Sequence, residues 1–387
     1  MLFESTYLYP YKFLILSFYI RFFVCWSQYM NIVVIGSGVI GLLQAYKLLK
    51  LGHQVTILEK NQQEFESSWA GGGIVSPMYP WRYSAAVTAL AQLAQAQYPL
   101  LAKELFELTG IDVELIPCGM LMLETEDRRD ALAWGQQNQQ TVFELGQSQI
   151  MEINPNLASF KQAIWLPHIA NIRNPRLLQA LLQAVELLGG RRIVDAEVTG
   201  FVIENEQLIA VKTVHNQLYY ADQFIVATGA WTAKVVEQLN LDLPIRPIKG
   251  QMLLYKLEQQ VLKQIVLHQG HYLIPRADGH ILCGSTVEDT GFDKTTNEQA
   301  KQVLMSSAQR ILPLLAAYQP IKQWAGLRPA SPNGIPFIGK HPVLANLWIN
   351  AGQFRNGLVL APASAQLLLE QMLGLQLTIN PTPYQVL

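Results

Sequence analysis

Residues Asn31 to Lys60 read "NIVVIGSGVIGLLQAYKLLKLGHQVTILEK". Ile32-Val33-Val34-Ile35 is a continuous apolar run, the pattern of a parallel strand covered on both faces. Gly36, Gly38 and Gly41 then match G-x-G-x-x-G: one glycine for the tight turn, one for close approach of a pyrophosphate, one for helix packed on strand. Leu42 to Leu49 reads as a helix. Its N-terminus, with Val39 and Ile40, offers unpaired N–H groups and a positive dipole end to phosphate. Gln54 to Leu58 is the next strand, and Glu59 follows at the distance a ribose-binding acid keeps from the glycines, about 20 residues, with Lys60 beside it. A carboxylate there accepts hydrogen bonds from both ribose hydroxyls and repels a 2′-phosphate. A lone glycine motif is weak evidence. Strand, glycines, helix, strand and acid in register are strong, and they point to a non-phosphorylated adenine dinucleotide, NAD or FAD.

Three later stretches favour FAD. "ESSWAGGGIVSP" places Ser67 and Ser68 ahead of Gly71-Gly72-Gly73, a small-residue run that lets backbone approach a flat ring, and flanking Trp69, Ile74 and Val75 argue against a fully exposed loop. "FIVATGAW" runs a buried strand, Phe224 to Val226, into a turn at Gly229. "LWINAGQFRNGLVLAPASA" runs a strand, Leu347 to Asn350, through Gln353, Phe354 and Arg355 into a helix beginning near Asn356, followed by Gly357, Leu358 and Val359. That helix start aims a positive dipole end at whatever lies over the sheet. A domain holding only NAD has no need of such distant segments. The absence of a second G-x-G-x-x-G further suggests that the organic substrate itself is the reductant.

Around these motifs the chain has 387 residues, half of them apolar, 15% charged, with a net charge of −1. Two domains are expected at that length. The charge balance excludes a nucleic-acid surface, which needs clustered Lys and Arg. Cys25, Cys118 and Cys283 form neither a disulfide framework nor a CxxC pair, which points to a reducing cytoplasm, and no metal-ligand spacing is present. Residues 1–29 contain "YKFLILSFYIRFFVCW", which Arg21 divides into runs too short for a bilayer of roughly 30 Å. It lacks the features of a secretory signal. An extension outside the fold, with Met30 as the natural start, is expected; a membrane contact is expected only if the extension is part of the working protein.

Two candidates stand out for holding substrate. Arg328, in "WAGLRP", presents a planar guanidinium suited to two parallel hydrogen bonds with a carboxylate, the alternative being a surface ion pair. Tyr272, in "GHYLIPRADG", is either a phenol donor to the same carboxylate or a core tyrosine in an alternating strand. Arg355, in "QFRNG", either supplies positive charge beside cofactor or substrate or serves the helix start. Trp81, Arg82 and Tyr83 read more as packing than as a pocket mouth.

"IGSGVIGLLQAYKLLKLGHQVTILEK", "SSWAGGGIVSPMYPWRY", "WAGLRPASPNGIPFIG" and "AGQFRNGLVLAPASA" resemble the D-amino-acid oxidase family and, within it, the glycine oxidases of thiamine biosynthesis, from Asn31 to about Leu373. The resemblance implies an α/β (α+β overall) fold: a Rossmann-like FAD-binding domain interleaved with a substrate domain on a mostly antiparallel sheet. Strand–helix units along the chain place 30–82, 162–243 and 324–373 in the FAD domain, a long helical pattern and short alternating runs place 83–161 and 244–323 in the substrate domain, and 374–387 is left as a C-terminal tail. The resemblance implies carboxylate binding by Arg328 and Tyr272, and adenine-side contact by Val198. Related sarcosine oxidases attach FAD through a cysteine after the Arg-Pro motif; "RPASPNGIPF" has none, so non-covalent FAD is expected. The activity implied is oxidation of glycine, sarcosine or D-alanine by O2, in a cytoplasmic homo-oligomer. Two other classes stay open: a D-amino-acid dehydrogenase feeding a membrane quinone, and a non-catalytic FAD-binding protein.

Overall fold

The computed structural model describes residues 29–62 and 66–386. Apart from Tyr29, the expected N-terminal extension lies outside the described residues. The opening motif folds into the strand Asn31–Ile35, the helix Val39–Lys50 and the strand Gln54–Leu58. These strands sit inside a six-stranded sheet of order Phe337–Lys340, Leu347–Ala351, Gln223–Val226, Asn31–Ile35, Gln54–Leu58, Arg191–Ile193. All pairs are parallel except the first, at the edge. Both faces are covered, which is why the strands read as unbroken apolar runs. One face carries the helices Val39–Lys50, Ala85–Thr109, Asn174–Leu187 and Gly357–Leu373. The other meets the antiparallel meander Val198–Glu204, Gln207–Thr213 and Leu218–Tyr220.

The long helix ends where its sequence says it must, on Gly110 in the left-handed conformation (φ 71°), and its N-cap Ser84 accepts from the Val87 amide at 3.4 Å. Pro99 is accommodated inside it. The C-terminal tail packs back on the core: Tyr384 is buried and donates its hydroxyl to the Ala86 carbonyl at 2.7 Å.

A second sheet of eight strands runs Lys322–Ala330, Arg246–Lys256, His280–Gly284, His271–Pro275, Ile265–His268, Met120–Leu123, Gln162–Leu166, Phe143–Gly146. It is antiparallel except for the pair Ile265–His268 with Met120–Leu123. Two strands expected with the dinucleotide-binding segments, Gln162–Leu166 and Lys322–Ala330, pair into this sheet instead. Short apolar runs do not encode which sheet they join; hydrogen-bonding partners decide it. A further correction concerns "HYLIP", expected to alternate. Tyr272 through Pro275 are all buried, because one face meets the helix Glu298–Ile311 and the other the triglycine turn. The "SSWA" run makes one helical turn, Ser67–Ala70.

Candidate functional site

A cavity of about 750 Å³ opens at the carboxyl ends of the parallel strands and reaches the face of the eight-stranded sheet. Ligands of open α/β sheets bind in this crevice. At one end Gly36 adopts φ 104°, and a Cβ there would lie 2.6 Å from the Ala227 carbonyl oxygen. Gly38 caps the helix Val39–Lys50, whose first amide, Val39, donates to Ser68 Oγ at 3.0 Å. The next two amides, of Ile40 and Gly41, have no acceptor within the helix. Glu59 is held by the Ser37 amide (2.8 Å) and hydroxyl (2.9 Å) on one oxygen and by the Asn61 amide (3.0 Å) on the other. The oxygen bound by Asn61 keeps further acceptor capacity. Lys60 lies 3.1 Å from the centre of the Trp231 ring, and burial lowers its pKa. Val198 and Gly229 complete this end.

The middle is built on Ser67, Ser68, Gly72, Gly73 and Ile74. Two buried side chains hold this stretch. Asn174 donates to the Ser68 carbonyl at 2.8 Å. Arg276, only 3% exposed, donates to the carbonyls of Gly72 and Ile172, both at 3.0 Å, and to Asn171 Oδ1 at 2.9 Å. Desolvation lowers the Arg276 pKa to about 10. Gly73 (φ 83°) leaves no room for a side chain, since a Cβ would fall 2.0 Å from the Ile172 carbonyl oxygen.

From the opposite side, Gln353 and Phe354 lead into the helix Gly357–Leu373, and Gly357, Leu358 and Val359 line the wall. Gln353 donates to Asn350 Oδ1 at 2.7 Å, which leaves the buried Asn350 amide nitrogen, also on the wall, without a partner.

Arg328, Tyr272 and Arg355 converge at the inner end. The Arg328 guanidinium donates to Ser285 Oγ (2.7 Å) and to the carbonyls of Thr286 (3.2 Å) and Lys249 (3.3 Å). Burial lowers its pKa; the Tyr272 hydroxyl favours the charged form, and Arg355 opposes it. Gly250, on the neighbouring strand, makes this possible: a Cβ there would fall 2.1–2.4 Å from the guanidinium atoms. Tyr272 is 7% exposed, and its hydroxyl donates to Met252 Sδ at 3.3 Å. Arg355 touches Met78 Sδ at 3.9 Å. Among the described residues, no acidic side chain forms an ion pair with Arg328 or Arg355.

Of the residues singled out from sequence, Gly41 and Asn356 are not on the cavity wall. Gly41 lets the helix pack on the strand, because a Cβ would lie 2.0 Å from the Gly36 carbonyl oxygen. Asn356 is buried at the helix start with an unpartnered amide nitrogen. Trp81 and Arg82 bind Asp127, at 2.7 Å and at 2.6 and 2.9 Å, outside the cavity. Arg276, Asn174, Gly250 and Ser285 were missed by sequence reasoning. Each acts through a neighbour distant in sequence.

The donor set fits a long dinucleotide: a glycine-lined helix start, an acid oriented by Ser37, an unpartnered amide on the opposite wall and a flat, small-residue middle. The family model for FAD dependent oxidoreductases (DAO) matches residues 31–371. The chain belongs to this family of FAD-dependent oxidoreductases, and its cofactor is FAD. Over 356 residues it is 44% identical to a glycine oxidase of Pseudomonas aeruginosa and 45% identical to one of Pseudomonas putida, covering 92% of this chain and 98% and 97% of theirs. The crystal structure of glycine oxidase from Geobacillus kaustophilus superposes with a TM-score of 0.88 at 26% identity, covering 93% of this chain and 99% of that one. A bifunctional protein ThiO/ThiG of Trichormus variabilis is 31% identical over 87% of this chain and 52% of its own length.

Proposed function

We propose that this protein oxidises glycine and similar small amines, such as sarcosine and D-alanine, with O2 as acceptor. The observation that carries this reading is the pair of guanidinium groups, Arg328 and Arg355, that face the inner cavity without a carboxylate of the protein's own. An uncompensated cation in a partly desolvated wall is stabilised by an anionic ligand, and a carboxylate matches a guanidinium in two hydrogen bonds. The resemblance of the flanking motifs and the names of the relatives support the amino acid as that ligand.

In this reading Arg328 grips the carboxylate and the Tyr272 hydroxyl donates to it, turning from Met252 Sδ. The rigid backbone of Gly72 and Gly250 fixes the space left for Cα, and Arg355 keeps the surroundings positive. FAD, when bound, supplies the acceptor for the hydrogen and electron pair leaving Cα and is restored by O2. The chain's contribution is orientation and exclusion of water rather than acid–base chemistry, so no base is assigned. Glycine and O2 give the imine and hydrogen peroxide; water then converts free imine into glyoxylate and ammonia. We assign Gly36, Gly38, Glu59, Lys60, Ser67, Ser68 and the 353–359 turn to holding FAD. The segments 30–82, 162–243 and 324–373 are proposed as its domain, less the two strands that join the other sheet.

By resemblance, the imine serves as precursor of the thiazole of thiamine in a cytoplasmic homo-oligomer. The unpaired Cys118 and Cys283 suit a reducing compartment. Among the described residues no helix is long and apolar enough to cross a membrane. A peroxide assay over glycine, sarcosine, D-alanine and amines lacking a carboxylate tests the reading. Peroxide with the carboxylated amines alone is expected. Dye reduction without peroxide would favour the dehydrogenase, and no flavin bleaching by any amine would leave FAD as a scaffold.

A further inference from the structure

Lys249 is a cation with 2% exposure in the middle of the strand Arg246–Lys256, one residue before the glycine that admits the Arg328 guanidinium. Its ammonium sits 3.2 Å from Glu288 Oε2, 3.2 Å from Asp293 Oδ2 and 3.2 Å from the Thr295 carbonyl. Its backbone makes a two-way bridge with Glu288, at 2.8 and 3.0 Å. All three side-chain partners lie on one mostly exposed stretch, residues 285–297, between the strand His280–Gly284 and the helix Glu298–Ile311. This buried charge shares the work of holding the stretch with Gln251, whose side-chain amide donates to Glu288 at 2.9 Å and accepts from the Asn297 amide at 3.1 Å, and with the exposed Arg246–Asp289 pair.

The two ends of this stretch contact residues that line different parts of the cavity. Ser285 and Thr286 supply two of the three acceptors of Arg328, the third being the Lys249 carbonyl itself. Farther along, Phe292 packs on Trp231, ring centres 5.5 Å apart, and Lys294 pairs with Glu66 at 2.8 Å. Trp231 and Glu66 line the dinucleotide end. One segment therefore touches both the proposed carboxylate site and the wall around the cofactor.

We propose that Lys249 is a positioning residue: it locks the 285–297 segment in place through Glu288 and Asp293, and the locked segment couples carboxylate binding at Arg328 to retention of FAD. This rests on the reading of Arg328 as the carboxylate's partner. Removing the ammonium leaves Glu288 and Asp293 to repel each other with only the neutral Gln251 contacts to hold the segment, so its grip on Arg328 through Ser285 and Thr286 and on Trp231 through Phe292 loosens. Because coupling between two sites is reciprocal, each ligand must tighten the other.

The test uses holoenzyme and acetate, a carboxylate with no amine to oxidise. Acetate binding is read from the flavin absorbance, and FAD dissociation from flavin fluorescence with and without saturating acetate. In the wild type, acetate is expected to tighten FAD at least ~3-fold. Lys249→Met is expected to weaken acetate by roughly 10-fold or more and to abolish the effect of acetate on FAD, with kcat at saturating amine falling less than the KM rises. Lys249→Arg should restore part of the coupling. Wild-type FAD affinity that ignores bound acetate, or unchanged acetate affinity in Lys249→Met, overturns the inference. If Lys249→Met does not fold, the exposed Asp293→Asn decides: a weaker loss in the same direction supports it, and acetate binding equal to wild type overturns it. A wild type that oxidises no amine yet shows the acetate coupling removes the proposed reaction and upholds the coupling; one that binds no acetate removes both.

Discussion

Arg328 is a half-buried guanidinium that forms no ion pair with an acidic side chain among the described residues, although the Glu288 charge favours its protonated form. Its own protein partners are a hydroxyl and two carbonyls, which fix its direction without cancelling its charge. Hydrogen bonds between charged groups contribute roughly 1.5–3 kcal/mol each, so Arg328→Ala should lower kcat/KM for the preferred amine at least ~100-fold. An unchanged kcat/KM would remove Arg328 from the role. Gly250→Ala makes the finer point. The added methyl would meet the guanidinium atoms at 2.1–2.4 Å and must displace them, so a KM increase on the order of 10-fold is expected with the fold intact. Steady-state kinetics beside a thermal melt would expose the alternative, a KM like wild type. Arg328 could be picked out of the sequence because its "LRP" setting carries the resemblance. Gly250 could not: its importance follows from strand pairing, in which Gly250 faces Gly326 and Ile248 faces Arg328.

Elements formed largely as their patterns require. The first strand, helix and second strand fell where glycines and apolar runs put them, because those signals are local. Errors arose where the deciding contact is remote. "HYLIP" is buried on both faces by a helix and a turn that its own sequence does not mention, and two strands joined the antiparallel sheet through partners chosen elsewhere. The triglycine turn shows what such remote support does. Its Gly72 carbonyl is held by Arg276, a buried cation bonded to three neutral oxygens. Arg276→Met would orphan buried acceptors, each at a cost of about 1–3 kcal/mol, and release the turn. FAD affinity should fall roughly 10-fold, read by fluorescence of released flavin, together with a lower melting temperature. Unaltered flavin retention in a destabilised variant would mean that Arg276 supports the core and not the turn.

At the scale of the whole molecule, the cavity is the join between the two sheets. Its walls draw on residues from Ile35 to Val359, so no single segment can close it, and the sequence shows its parts without their arrangement. The proposed nucleotide half left its clearest trace in one contiguous motif, residues 31–60, although Val198, Gly229 and the 353–359 turn also wall it. In the proposed substrate half only Arg328, Tyr272 and Arg355 could be singled out from sequence, since the residues that orient them come from strands brought together by sheet order. A ligand spanning such a join stabilises the native state alone, as the unfolded chain has no comparable site. At a free concentration 100-fold above Kd that linkage contributes about 2.7 kcal/mol, which in a chain of this length raises the melting temperature by on the order of 5 °C. Thermal unfolding of the apoprotein with increasing FAD should therefore show a midpoint that climbs with the logarithm of the free FAD concentration. Arg276→Met should need more FAD to reach the same shift, while Arg328→Ala, which alters only the substrate end, should follow the wild-type curve. A midpoint indifferent to FAD would mean that the cavity does not hold the dinucleotide across the two sheets.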